Sequence, residues 1–177
     1  MTILSHGSIR ASVEAIYAAG GLPKGDKTGW PSVDKHYTVG MNQWTVITGN
    51  PGAGKSEWLD ALMVNLAKTG EWKFFIYSPE NHPVSLHHAK ILEKYLGKPF
   101  NPGPTPRMEP DELSDGEDWM EGKFHFCKPN NPDMESILVE GIDQITSMGA
   151  TWKTGIVLDP WNYLDHRRPQ WMSETEY

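Results

Sequence analysis

Cysteine is almost missing from this sequence, which carries a single one, Cys127, among 177 residues. One cysteine excludes an internal disulfide framework and suits a reducing compartment. Long apolar runs are missing too, because no stretch approaches the roughly 20 residues that a membrane-spanning helix needs. Residues 1–21 do not join a basic segment to a continuous apolar block, so they do not resemble a secretory signal. We therefore expect a soluble chain with no membrane association, located in the cytoplasm or in an organelle and not secreted.

Positive charge is also scarce, and the net charge is −7. This balance argues against a surface coated with nucleic-acid-binding residues, although a few local phosphate contacts remain compatible with it. The clearest basic patch contains Arg167 and Arg168. A length of 177 residues, with 38% hydrophobic and 22% charged residues, is typical of one globular domain with a buried core.

A glycine-rich loop fits the pattern G-x-x-x-x-G-K-[ST]. Its residues are Gly49, Asn50, Pro51, Gly52, Ala53, Gly54, Lys55 and Ser56. Small residues let main-chain N–H groups approach an anion, and the amino end of a following helix adds its positive dipole end. Lys55 would then reach the β- and γ-phosphates, with the Ser56 hydroxyl on Mg²⁺. The alternative is a glycine-rich turn with a surface lysine, but a predicted strand at 43–49 and an amphipathic helix at 55–69 favour phosphate binding.

Two acidic residues end two apolar strands. Glu80 ends a predicted strand at 73–80, and Asp159 ends one at 155–159. The carboxyl ends of parallel strands share one edge of a sheet, so both acids are expected beside the phosphate loop. Asp159 would hold the Mg²⁺ shell. The alternative for each acid is a solvated loop residue just past a strand.

The remaining pattern alternates helices with strands, which predicts an α/β fold with a mostly parallel sheet flanked by helices. Gly70 is expected to end the helix at 55–69, and Asp133 is expected to cap the last helix. We divide the chain into an N-terminal helix and linker, 1–27, and a core, 28–177. The other predicted elements are helices at 8–19, 84–96, 111–121 and 133–148, and a strand at 123–128.

The ordered set of motifs resembles the RecA-like motor domain of DnaB-type replicative helicases, in particular the Twinkle-like branch. The likeness covers residues 28–177. It is carried by "TGWPSVDKHYTV", "QWTVITGNPGAGKSEWLDALMVNLA", "FIYSPEN" with "HHAKILEKYLGKPF", and "GIVLDPWNYLDHRR" with "SETEY".

This resemblance implies a P-loop NTPase that uses ATP and Mg²⁺ to move on single-stranded DNA. It makes Glu80 the water-activating glutamate, Asp159 the Walker B aspartate, and the stretch with Arg167 and Arg168 a candidate DNA-facing loop. The family forms rings, usually hexamers, in which a neighbour supplies an arginine finger. The chain is expected to correspond to the front part of the motor domain, truncated after Walker B.

Two other functions stay open. One is a nucleotide-binding module that oligomerises without turnover. The other is a small-molecule P-loop kinase, but its lid requires several arginines, and the sequence has only Arg10, Arg107, Arg167 and Arg168.

Other residues have two interpretations each. Three histidines close together in the sequence are more typical of surface or helix-cap positions than of a zinc site. Trp161 and Trp171 suit packing better than base stacking. The N-terminal helix suits a subunit-exchange arm and a simple edge helix equally. The histidines in question are His82, His87 and His88.

Overall fold

The computed structural model describes residues 5–129, 132–147 and 152–164. By their contacts these residues form two compact units, one up to Trp44 and one from Thr45 onward. The domain boundary predicted between residues 27 and 28 stays a prediction.

The described part of the chain contains five helices, three strands and one short 3-10 helix. In chain order they are α1 (His6–Ala18), α2 (Lys55–Lys68), β1 (Trp72–Tyr77), α3 (Val84–Leu96), α4 (Pro110–Met120), β2 (Phe124–Phe126), α5 (Met134–Ser147), β3 (Lys153–Leu158) and the 3-10 helix Trp161–Tyr163.

The three strands form one parallel sheet in the order β2-β1-β3. The central strand β1 pairs with β3 along its whole length, from Trp72 opposite Lys153 to Tyr77 opposite Leu158. On its other edge β1 pairs with β2, with Phe74 opposite Phe124. The predicted α/β class with a parallel sheet is therefore confirmed.

The strand predicted at residues 43–49 is wrong. These residues have no regular secondary structure, and the side chains of Trp44 and Val46 are 63% and 72% exposed. The segment is rich in β-branched and aromatic residues, which favour a strand. A strand also requires a hydrogen-bonding partner, and the sheet of the described residues contains only β1, β2 and β3.

Helices cover both faces of the sheet. Side chains alternate along a strand, so Trp72, Phe74 and Ile76 share one face, on which α2 packs against β1. Phe75 and Tyr77 point to the other face, where they form a cluster with Ile137 of α5. Because both faces of β1 are covered, five of its six residues are buried.

Helix ends follow the local sequence. Gly70 has a φ of 80°, which suits glycine, and its N–H donates to the Ala67 carbonyl just past α2. The Asp133 carboxylate accepts a hydrogen bond of 2.8 Å from the Ser136 N–H at the start of α5. Both predicted caps are confirmed.

Gly155 of β3 allows a close approach between strand and ring. A Cβ at this position would lie 2.7 Å from Cε1 of Phe74, which is closer than two non-bonded carbon atoms approach each other. The Phe74 ring also stacks on Phe124 at a centroid distance of 5.7 Å. The missing side chain therefore lets the aromatic ring lie over β3.

The unit up to Trp44 consists of α1 and a closed loop. Asp26 and Val39 exchange two backbone hydrogen bonds of 2.8 Å. Inside the loop, the Thr28 hydroxyl donates to the Asp34 carboxylate at 2.6 Å, and Thr28 is fully buried. The segment after Ser32 forms turns.

No helix in the described ranges is both long and apolar enough to span a bilayer.

The packing of α3 predicts a contrast between two leucines of one helix. Leu92 is 1% exposed and Leu86 is 59% exposed. Leu92→Ala should lower the free energy of unfolding by about 2–5 kcal/mol, because it leaves a cavity in the core. Leu86→Ala should change it by less than about 0.5 kcal/mol. Urea unfolding followed by circular dichroism measures both, and equal losses would contradict the described orientation of α3.

Candidate functional site

The phosphate loop leads directly into α2. Gly52 and Gly54 have φ angles of 73° and 81°, in the left-handed region that glycine adopts without strain. The Gly54 carbonyl accepts the first helical hydrogen bond, from the Trp58 N–H at 2.9 Å. Residues 49–54 are exposed, so their main chain is within reach of a ligand.

Lys55 folds back over this loop. Its Nζ donates to the carbonyls of Gly49 and Asn50, at 3.1 and 3.0 Å. Both acceptors are neutral, and an ammonium group makes a stronger hydrogen bond to an anionic phosphate oxygen. The arrangement therefore fits a loop that can exchange these carbonyls for a phosphate.

The two predicted acids follow neighbouring strands at one edge of the sheet. Asp159 comes directly after β3, and its N–H donates to the Tyr77 carbonyl, the last residue of β1, at 2.9 Å. Glu80 follows β1 in a turn between residues 78 and 81, where its side chain is exposed. The structure thus brings the carboxyl ends of β1 and β3 together. The catalytic and metal-binding roles of the two acids stay predictions.

Helix α2 places the phosphate loop at the same edge. Three residues, 69–71, connect α2 to β1, and the helix packs on that strand. A helix that returns through so short a link runs antiparallel to the strand, so the amino end of α2 lies beside the carboxyl end of β1. A direct contact agrees with this placement, because Lys90 of α3 lies 3.3 Å from both Glu57 of α2 and Asn81.

A buried hydrogen bond joins α2 to α3 behind this edge. The His87 Nε2 lies 2.9 Å from the Asp60 Oδ1, and both residues are 2% exposed. Lys94 lies 3.8 Å from the other carboxylate oxygen of Asp60. The sequence alone does not predict this pair. The signal for it is a carboxylate within the apolar stripe of α2. The surface or helix-cap position predicted for His87 is wrong, because its side chain is buried inside α3.

Glu57, in the first turn of α2, is a second carboxylate that contacts α3, and unlike Asp60 it is exposed. A hydrogen bond of 2.6 Å from Lys94 lowers the pKa of the Glu57 carboxylate, and Lys90 lowers it further. The carboxylate therefore stays charged at neutral pH and holds two lysines of α3 against the amino end of α2.

A cavity of about 200 Å³ opens at the carboxyl ends of β1 and β2. It lies beside the Glu80 turn, and residues 49–56 do not line it. Burial raises the pKa of the Cys127 thiol to about 11, with a further contribution from the negative charge of Glu140. The residues that line the cavity include Ser78, Asn81, His87 and Cys127.

The predicted metal ligands are oxygen donors, Ser56 and Asp159. Hydroxyl and carboxylate oxygens are the donors that Mg²⁺ prefers, so the residue types fit this ion. Within the described ranges there is no cluster of three or more histidine, cysteine or acidic residues able to hold a metal. The predicted DNA contacts, Arg167 and Arg168, lie outside the described residues, as does Trp171.

One curated protein shares extensive sequence with this chain. The Twinkle homolog protein, chloroplastic/mitochondrial, of Arabidopsis thaliana is 37% identical to it over 160 residues, which is 86% of the chain. This stretch of sequence is Twinkle-like. The resemblance to the motor domain of Twinkle-like, DnaB-type helicases that the motifs predicted is therefore confirmed. The predicted RecA-like P-loop class is confirmed as well. The chain spans 22% of the length of that relative. No protein-family model matches the chain, and no solved structure matches it.

The partly buried thiol of Cys127 predicts slow alkylation. With a pKa of about 11, the thiol holds on the order of a hundredfold less thiolate at pH 8 than a thiol of ordinary pKa. Iodoacetamide should modify folded Cys127 at a correspondingly lower rate, and the rate should rise with pH up to about 11. Mass spectrometry measures the modification, with the urea-unfolded chain as control, and equal rates in both states would contradict the described burial.

Proposed function

We propose that this chain is the ATP-binding and ATP-hydrolysing part of a replicative DNA helicase motor, which drives translocation on single-stranded DNA. The observation that carries the proposal is the convergence at one sheet edge of the phosphate loop with Lys55, the Glu80 turn and Asp159. A Twinkle-like sequence supports the helicase assignment.

Each residue has a distinct task in this proposal. The main-chain N–H groups of residues 49–56 and the Lys55 ammonium bind the polyphosphate. Ser56 and Asp159 hold Mg²⁺, which neutralises charge that develops on the phosphates during hydrolysis. The Glu80 carboxylate accepts a proton from the attacking water. Because Glu80 is solvent-exposed, its carboxylate is accessible to that water.

The assembly and DNA contacts are part of the same proposal. The active form is a hexameric ring, in which a neighbouring subunit supplies an arginine to the transferred phosphate. Arg167 and Arg168 contact the phosphates of single-stranded DNA. The net charge of −7 restricts such contacts to a few local positions.

One observation favours a second function, a nucleotide-binding module without turnover. The segment at residues 43–49 lies in no strand of the described sheet, so sheet hydrogen bonds do not fix the amino side of the phosphate loop. A loop held in this way can bind nucleotide without keeping it aligned for attack.

Substitution of Glu80 separates turnover from binding. Glu80→Gln should lower DNA-stimulated ATP hydrolysis by about a hundredfold or more, because it removes the general base, while nucleotide affinity stays within about twofold. Phosphate release and binding of a fluorescent ATP analogue measure the two quantities. The matched control is Glu71→Gln, an exposed glutamate at the opposite end of β1. Full activity of Glu80→Gln would refute the catalytic role, and binding without turnover in the unmodified chain would establish the module.

Substitution of Lys55 tests the phosphate site itself. Lys55→Ala should weaken ATP binding by roughly tenfold or more, since a hydrogen bond to a charged group contributes about 1.5–3 kcal/mol. The exposed Lys68→Ala, at the other end of α2, provides the control. Unchanged affinity in Lys55→Ala would remove the loop as the triphosphate site.

Ring formation predicts a mass that depends on nucleotide. Light scattering of the 19.9 kDa chain should show a higher mass with ATP and Mg²⁺ than without them. ATP hydrolysis by a chain that stays monomeric at all concentrations would contradict an active site completed by a neighbour.

A further inference from the structure

We propose that Lys90 and Asn81 form a positioning device that links the amino end of α2 to the turn carrying Glu80, and thereby sets the orientation of that carboxylate for hydrolysis. This inference rests on the proposed function.

The device begins in the turn after β1. The Asn81 Nδ2 donates to the Ser78 Oγ at 2.8 Å, and the Asn81 N–H donates to the Ser78 carbonyl at 3.3 Å. Residues 78 and 81 are thus tied together by side chain and main chain, with Glu80 inside the closed turn. A rotation of Asn81 changes the direction of the preceding peptide and with it the direction of Glu80.

Lys90 connects this turn to the nucleotide-binding helix. Its Nζ donates to the Asn81 Oδ1 at 3.3 Å and lies 3.3 Å from the Glu57 Oε1. Glu57 directly follows Ser56, the predicted magnesium ligand, and Asn81 directly follows Glu80. One ammonium group therefore joins the chain neighbours of two predicted site residues, Ser56 and Glu80.

The amide group of Asn81 suits this task. Its oxygen accepts from Lys90 while its nitrogen donates to Ser78, so both ends of the amide are engaged and its orientation is determined. Lys90 is itself held on α3, which the buried Asp60–His87 pair connects to α2. The helix that carries Lys90 is therefore held against α2, although the Lys90 side chain is partly exposed.

Lys94 provides a matched control within the same helix. It lies one turn beyond Lys90 and binds the same glutamate more closely, with its Nζ 2.6 Å from the Glu57 Oε2. Its described contacts do not include Asn81. A role in holding α2 against α3 is thus shared by both lysines, whereas the contact with the Glu80 turn belongs to Lys90.

Steady-state kinetics with ATP and single-stranded DNA tests the device. Lys90→Met should lower kcat by roughly tenfold with KM for ATP within about twofold, because small misplacements of a catalytic group have large effects on rate. Lys90→Arg should restore most of the rate, since it retains a cationic donor. Lys94→Met should keep kcat within about twofold even if it lowers the melting temperature. The double variant Lys90→Met with Asn81→Ala should be no slower than either single variant, because both remove the same link.

A second measurement does not depend on turnover. In the 15N heteronuclear NOE, Glu80 and Asn81 should become more mobile in Lys90→Met and stay rigid in Lys90→Arg and Lys94→Met. Unchanged mobility in Lys90→Met, or equal effects of Lys90→Met and Lys94→Met on kcat, would overturn the inference. If the unmodified chain shows no hydrolysis, the proposed function fails, and the NOE result alone decides whether Lys90 positions the turn.

Discussion

Parallel pairing of β1 with β3 is the constraint on which the candidate site depends. It aligns Tyr77 with Leu158, and one further hydrogen bond joins the Tyr77 carbonyl to the Asp159 N–H at 2.9 Å. A slip by one residue would turn every side chain of a strand to the opposite face. Because both faces of β1 are packed, the core itself enforces the register, and the register places the two acids at one edge.

The buried and the exposed polar contacts between α2 and α3 differ in how much they contribute to stability. Asp60 and His87 are buried, so loss of either partner would leave a buried polar group without its hydrogen bond, which costs about 1–3 kcal/mol. Glu57 and Lys90 are partly exposed, and such pairs contribute only about 0–1 kcal/mol to stability. The inner pair therefore holds the helices together, whereas the outer contacts, in our proposal, orient groups near the phosphate loop. Substitutions in the outer contacts should therefore have little effect on folding.

Local sequence accounts for most of the fold but for only part of the site. The helices, the capping roles of Gly70 and Asp133, and the buried strand β1 follow from periodicity, cap residues and apolar runs, which are properties of neighbouring residues. The error at residues 43–49 has the opposite origin, because strand propensity carries no information about which edge is available for pairing. Lys90 and the Asp60–His87 pair were not predicted either. Their contacts depend on how α3 is rotated against α2, and sequence spacing does not specify that rotation.

Gly155 and Phe74 lie opposite each other in the paired strands β1 and β3, and the absence of a side chain at Gly155 leaves room for the Phe74 ring. A methyl group at position 155 would collide with the ring, and a smaller residue at position 74 would leave a void above the strand. A change at either position alone would therefore disturb the packing between β1 and β3. In related chains these two positions should therefore covary, with a larger residue at one accompanied by a smaller residue at the other.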